Sequence, residues 1–362
     1  PTIHNNSVLI VDPQGQLVDQ LQGDAYERAV NEVFGEITSE VLVDDVVEAL
    51  YYAKNDPRIT LIILRLDQLS GGGLSKLERI GIALDEVRES EKKIIAYADY
   101  YSQESYYLAA RVNEIYLHPE GVVELKGLSY EGMFFKGALE KLEVEPQIIR
   151  HGKFKSAIEP FILEKMSDEN REQVNRFLTS IWNNMKMGIS KAKNISEDEL
   201  NALAENLSVQ SPKDAVDYGL ADALLFEDQV RDTLRQKLEI EKDAKVNKIS
   251  LREYSEVSVK SGKKKYSKDK IAVIYAQGDI SSGEGDNLSI GSVTTSKAIK
   301  EAREDERVKA IVLRVNSPGG SALASETILR EMELAKATKP VVVSIGDVAA
   351  SGGYYISCKA DT

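Results

Sequence analysis

The sequence predicts an α/β fold with largely parallel sheets flanked by helices, laid down twice along the chain. Three observations carry this. Short runs rich in Ile, Val and Leu alternate with segments of helical spacing. The same order of runs returns about 250 residues later. Two apolar runs of the second copy end in small-residue turns, Pro318-Gly319-Gly320 and Ala350-Ser351-Gly352-Gly353.

In order, Ser7 to Val11 reads as a strand. Val41 to Leu50 has helical spacing, Asn55-Asp56-Pro57-Arg58 is a turn, and Ile59 to Leu66 is a buried strand. Leu74 to Ser90 reads as an amphipathic helix, Lys93 to Ala98 as a strand, Ser102 to Ala110 as a helix, and Ile115 to Leu117 as a last strand.

The second copy repeats this plan. Asp56 to Leu66 matches Asp305 to Val315, Tyr106-Tyr107 matches Tyr354-Tyr355, and Ser7 to Val11 matches Lys270 to Ile274 in type. A period this long marks a duplicated domain, because solenoid repeats run to about 50 residues. The expected organisation is a first repeat over 1–227, a charged linker over 228–269, and the N-terminal part of a second repeat over 270–362. The run Lys263-Lys264-Lys265 reads as part of a solvated linker. Thr362 matches Glu114, so if the copies are of similar length roughly 110 residues of the second are expected to lie beyond this chain.

Composition narrows the function classes. The 362 residues carry a formal charge of −13, which argues against nucleic acid as the main partner. Hydrophobic content of 42% suits globular cores, and the single cysteine, Cys358, excludes an intrachain disulfide. No apolar run reaches the ~18 residues of a membrane span or carries a signal peptide. The chain opens on Pro1-Thr2 without a methionine, so an upstream segment that targets or anchors it is an expectation.

The chemistry concentrates at Ser351. A serine between two alanines and two glycines, after Val341 to Ile345, places a hydroxyl at a strand-to-helix turn. Small neighbours admit a substrate backbone, and helix-end N–H groups can meet an oxyanion. Alone, the same turn is equally a connection without chemistry. The second turn, after Val308 to Val315, offers further free amides, and the two loops together are the expected place for an acyl-transfer site. The first copy has Gln103 in place of Ser351 and Asp67 to Gly71 in place of Asn316 to Gly320, and so lacks both features.

A candidate base lies in the first copy. Lys155 stands among Phe154, Ala157, Ile158 and Phe161. Burial there would pull its pKa from the ordinary ~10.4 towards neutrality. Read alone, it is more simply a snorkelling surface lysine, with Lys153 as the natural control. His151 offers a Ser-His alternative, but no carboxylate stands out to orient it.

Taken together, Gly152 to Phe161, Asn316 to Gly320 and Ala350 to Tyr354 resemble the signal peptide peptidase A (protease IV) family in its long tandem-repeat form, within the ClpP/crotonase superfamily. The resemblance covers nearly the whole chain, Val216 to Asp222 included. It implies a Ser/Lys dyad of Ser351 and Lys155, with the amides of Gly320 and Gly352 as oxyanion donors and no metal or other cofactor. It also implies membrane attachment through an N-terminal segment, an extracytoplasmic (periplasmic) site, a bowl-like homo-oligomer such as a tetramer, and apolar signal-peptide remnants as substrates. The dyad residues belong to different repeats, so the site is expected to assemble at a junction, within one chain or between chains. A crotonase-like acyl-CoA enzyme and a non-catalytic scaffold of the same fold remain as alternatives.

Overall fold

The structure, a computed structural model, describes residues 2–21, 40–90, 92–261, 267–286 and 289–362. The run Lys263-Lys264-Lys265 lies outside them. In chain order the first elements are β1 (Ser7–Val11), β2 (Gln16–Val18), β3 (Glu40–Leu42), α1 (Val43–Asn55), β4 (Ile59–Arg65), α2 (Gly73–Arg88), β5 (Lys93–Tyr101) and α3 (Gln103–Ala109). Next come β6 (Glu114–Val123), α4 (Lys136–Lys141), a 3-10 turn (Ser156–Ile158), α5 (Glu159–Ile162), α6 (Asp168–Lys193), α7 (Glu197–Glu205), α8 (Pro212–Asp217), β7 (Ala223–Leu224), α9 (Glu227–Lys237), β8 (Lys248–Ser250) and α10 (Leu251–Ser261). The second copy is β9 (Lys270–Gln277), β10 (Asp279–Ser281), β11 (Ser289–Gly291), α11 (Ser292–Glu304), β12 (Val308–Ser317), α12 (Ala322–Lys336), β13 (Val341–Ala349) and α13 (Gly352–Ser357). The order β-β-β-α-β-α-β-α from β1 to α3 thus recurs from β9 to α13.

The chain forms two compact units, one of Pro1–Ile95 with Asp232–Thr362 and one of Ala96–Arg231. The units therefore cut across the repeats. In the first unit β1 pairs in parallel with β4 (Leu9 opposite Ile62) and with β8 (Leu9 opposite Ile249). In the second copy β12 pairs in parallel with β9 and β13, Leu313 lying opposite both Ile274 and Val343. These strands form because β-branched and leucine side chains suit a sheet buried on the helix side. Ile311, Leu313 and Val315 share a core with Ile299 of α11 and Ile328 and Met332 of α12.

The repeat extends to side chains. Asp56 accepts the Arg58 backbone N–H at 3.0 Å and its Nε at 2.9 Å, and Asp305 does the same for Arg307 at 2.9 and 3.1 Å. A parallel bridge joins Gly15 to Leu69 in one copy and Ile280 to Gly320 in the other.

The segment 228–269, expected to be a charged linker, is largely structured over its described residues. Val230, Leu234 and Leu238 recur every fourth residue and are buried, as are Ile249 and Tyr254. The Tyr254 hydroxyl donates to Asp56 at 3.1 Å. Charge at the intervening positions masks this helical stripe in a composition count.

In the second unit β6 pairs in parallel with β7, Tyr116 opposite Ala223. The buried Tyr106 hydroxyl donates to the Leu220 carbonyl at 2.9 Å. The long helix α6 is capped by the Ser167 hydroxyl, which accepts from the Asn170 N–H, and it ends at Asn194 in a left-handed conformation, φ 57°. Among the described residues no helix is long and apolar enough to cross a membrane.

Candidate active site

Strand β13 ends at Ala349 and α13 begins at Gly352, so Ser351 occupies the turn between them. Its backbone is at φ 49°, ψ −115°, a conformation L-residues rarely hold. The turn is over-determined by its surroundings. Ala350 N–H donates to Ser317 O at 3.0 Å, Gly353 N–H to Ala350 O at 2.8 Å, and Tyr355 N–H to Ser351 O at 2.9 Å. Gly353 admits no side chain, since a Cβ there would lie 2.5 Å from Ser317 O. The Ser351 side chain is exposed and does not cap its helix.

The loop after β12 lies against this elbow. Ser317 is fully buried; its hydroxyl donates to Gly278 O at 2.7 Å and accepts the Gly319 N–H at 3.1 Å. Ile280 bonds on either side of Gly320, through Ile280 N–H to Gly319 O and Ser321 N–H to Ile280 O, both 2.8 Å. Gly320 itself sits at φ 151°, where a Cβ would come within 2.1 Å of Ile280 O. A Cβ on Gly319 would lie 2.7 Å from both Ser351 Cβ and Gly352 N. A Cβ on Gly352 would lie 3.2 Å from Gly320 N. The N–H groups of Gly320 and Gly352 thus lie close together beside the serine, and neither has an acceptor among the described residues. Free N–H donors beside an exposed hydroxyl can hold a developing oxyanion.

The first copy departs at both places. Its bridge puts Leu69 where the second has Gly320. Counted from the helix start, Ser102 rather than Gln103 occupies the cap position of Ser351, but at an ordinary φ of −62° and with its hydroxyl accepting from Ser105 N–H. Gln103 is buried: its amide donates to Gly127 O at 3.1 Å and accepts the Lys126 and Gly127 N–H groups at 3.0 Å. Both positions serve the backbone.

Lys155 lies in the second unit, just before the 3-10 turn, and is exposed. The apolar shielding expected from its neighbours is not supplied locally: Phe154 is 53% exposed and Phe161 42%. The Phe161 ring stacks on Phe135 at 6.1 Å instead. What fixes the segment is Glu159, only 1% exposed. It accepts from the Ser167 hydroxyl at 2.5 Å, Ser167 N–H at 3.2 Å and the Asn170 side-chain amide at 3.0 Å. Burial pushes the Glu159 carboxyl up, but the Ser167 and Asn170 bonds and the Arg150 charge hold it below its ordinary value. Glu159 carries no local signature in the sequence, because its partners Ser167 and Asn170 lie eight and eleven residues further on. His151 is exposed and makes no hydrogen bond among the described residues.

The chain resembles known peptidases along its length. The profile of peptidase family S49 matches residues 86–241 and 333–362. "Protease 4" of Haemophilus influenzae is 39% identical over 370 residues, covering 99% of this chain and 60% of that protein. "Serine protease SPPA, chloroplastic" of Arabidopsis thaliana is 32% identical over 363 residues, covering 99% of this chain and 52% of the relative. The chain therefore spans only 52–60% of the length of these relatives. Among solved structures, a mutant of the membrane-bound stomatin-specific protease 1510-N aligns with a TM-score of 0.36 and 13% identity over 68% of this chain and 97% of that one. On the family profile, which takes in the Lys155 segment and the Ser351 elbow, the chain belongs to peptidase family S49.

Proposed function

We propose that the chain carries the dyad of a serine endopeptidase, with Ser351 as nucleophile, Lys155 as general base, and the Gly320 and Gly352 N–H groups as the oxyanion hole. The observation that carries this is the pair of backbone N–H groups without acceptors beside an exposed serine on a strained elbow. Neutral Lys155 takes the Ser351 proton, and the alkoxide attacks a peptide carbonyl. The oxyanion settles on the two amides, the lysine returns the proton to the leaving amine, and water releases the acyl-enzyme. A lysine works as a base in its neutral form, which burial favours. The exposure of Lys155 on its own segment therefore calls for a further surface to cover it in the working enzyme. The enolate-stabilising alternative lacks support at the elbow: Asp347, the carboxylate on β13, is already bound by Lys76 and Ser75.

The substrates in this reading are apolar peptides of the kind left by signal-sequence cleavage, met at the extracytoplasmic face of the cytoplasmic membrane by a homo-oligomer. Exposed Leu323, Val348 and Tyr354, around the two loops, fit such side chains and offer no charged selector. Labelling the complete protein with a fluorophosphonate tests the nucleophile: adduct on Ser351 is expected, and adduct elsewhere or none refutes it. For the substrate, kcat/KM should favour Leu over Lys before the cut, and a preference for Lys contradicts the reading.

A further inference from the structure

Strand β13 does not run straight into the catalytic elbow. Its register against β12 is regular up to Val315 opposite Ile345 and then jumps to Ser317 opposite Ala349. Gly346 to Val348 therefore stand against Asn316 alone and form a bulge on the β13 side. A bulge bends its strand and re-aims the residues after it, which here include Ser351. On one side the bulge is tied within its own repeat, where Val348 N–H donates to Asn316 Oδ1 at 3.1 Å. On the other it is held by the first repeat. The Asp347 carboxylate accepts from Ser75 Oγ at 2.9 Å and forms an ion pair with Lys76. Lys76 is only 4% exposed, and its other acceptor is Gly72 O at 3.0 Å. A buried ammonium of this kind holds its carboxylate tightly, because separating them leaves an unpaired charge out of water.

A second pair, with its carboxylate buried, grips the neighbouring strand. Asp19 of the first repeat, 6% exposed, accepts from Arg314 of β12 at 3.0 and 3.2 Å from Nη2 and 3.2 Å from Nε. Arg79 of α2 stands 3.8 Å from the same carboxylate. Arg314 also ties β12 to β13, donating to Ser344 Oγ and Ile345 O at 2.9 Å, next to the start of the bulge.

We propose that Lys76 and Ser75 of the first repeat are positioning residues for Ser351: by holding Asp347 they set the β13 bulge and hence the direction of the nucleophile, with Asp19–Arg314 as the supporting grip on β12. The copy whose own cap serine is tied to the backbone thereby acts on the chemistry of the other. This rests on the reading of Ser351 as nucleophile.

The test uses the complete protein with Lys76→Met, a near-isosteric change that leaves Asp347, whose side chain is 22% exposed, able to hydrate. A bulge released by about 1 Å should lower kcat at least ~10-fold, with KM within about 2-fold of wild type and a melting transition still above assay temperature. Lys76→Arg should recover part of kcat, and the double variant Lys76→Met/Asp347→Asn should be no slower than Lys76→Met. If Lys76→Met fails to fold, Ser75→Ala, which removes one hydrogen bond to the same carboxylate, gives the same readout. Wild-type kcat in the folded variant, or a change confined to KM, overturns the proposal. Ser351→Ala separates the two claims: if it keeps full activity the nucleophile reading fails, whereas an inactive Ser351→Ala beside fully active Lys76→Met sinks only the positioning role.

Discussion

Replacing Ser351 with glycine should make the protein more stable while abolishing catalysis. At φ 49°, ψ −115°, the serine occupies backbone space that costs an L-residue about 1–3 kcal/mol and glycine nothing. Glycine gives back about 0.4–1 kcal/mol through the greater freedom of its unfolded chain. The right reference is Ser351→Ala, which also lacks the hydroxyl but keeps the strain. At the middle of these ranges the balance favours Ser351→Gly over Ser351→Ala by about 1.3 kcal/mol. For a unit of this size that is a rise in melting temperature of several degrees, at about 2–4 °C per kcal/mol. Urea or thermal unfolding of the two variants side by side measures it, and both should be inactive on peptide. Equal or lower stability of Ser351→Gly would show that the elbow stores no strain, and the reasoning from its dihedral angles would fall.

Other outcomes rest on the same geometry. Gly320→Ala should lower kcat by about 10²–10³-fold, as for removal of one oxyanion donor, because its Cβ collides with Ile280 and must move the loop; near-normal turnover contradicts the assignment of that amide. Ser351→Ala and Lys155→Ala should each abolish hydrolysis, the double variant being no worse than either, while Lys153→Ala stays mild. Mixing inactive Ser351→Ala and Lys155→Ala chains of the complete protein restores activity if sites form between chains and none if they form within one. Glu159→Ala should cost about 1–3 kcal/mol by stranding Ser167 N–H and Asn170. Because its folded pKa is lowered, Glu159 contributes stability above the unfolded value of ~4.3 and loses it as pH falls through the folded one. Wild type should accordingly lose more stability than Glu159→Gln between about pH 5 and 2, read as the shift in urea midpoint.

The sequence by itself determined the α/β class, the repeat and the two small-residue turns at Pro318-Gly319-Gly320 and Ala350-Ser351-Gly352-Gly353. These are legible because strand and helix periodicity are local, and because glycine pairs at strand ends announce backbone that side chains would block. Ser351 stood out by its small-residue turn, whereas Lys155 was raised above Lys153 only by motif resemblance, since nothing local distinguishes the two lysines. The tertiary structure alone decided the rest. It put Ser351 at a positive φ, brought the Gly320 and Gly352 amides together without acceptors, and inserted a bulge at Gly346 to Val348. It folded α9, β8 and α10 out of a segment that composition reads as linker, and left Lys155 exposed on its own unit. It also joined Lys76 to Asp347 and Asp19 to Arg314 across 271 and 295 residues of chain. Such pairings have no local signature. A charged residue reads the same in sequence whether it faces water or is sealed against a carboxylate from the other copy, and only the packing that removes the water separates the two.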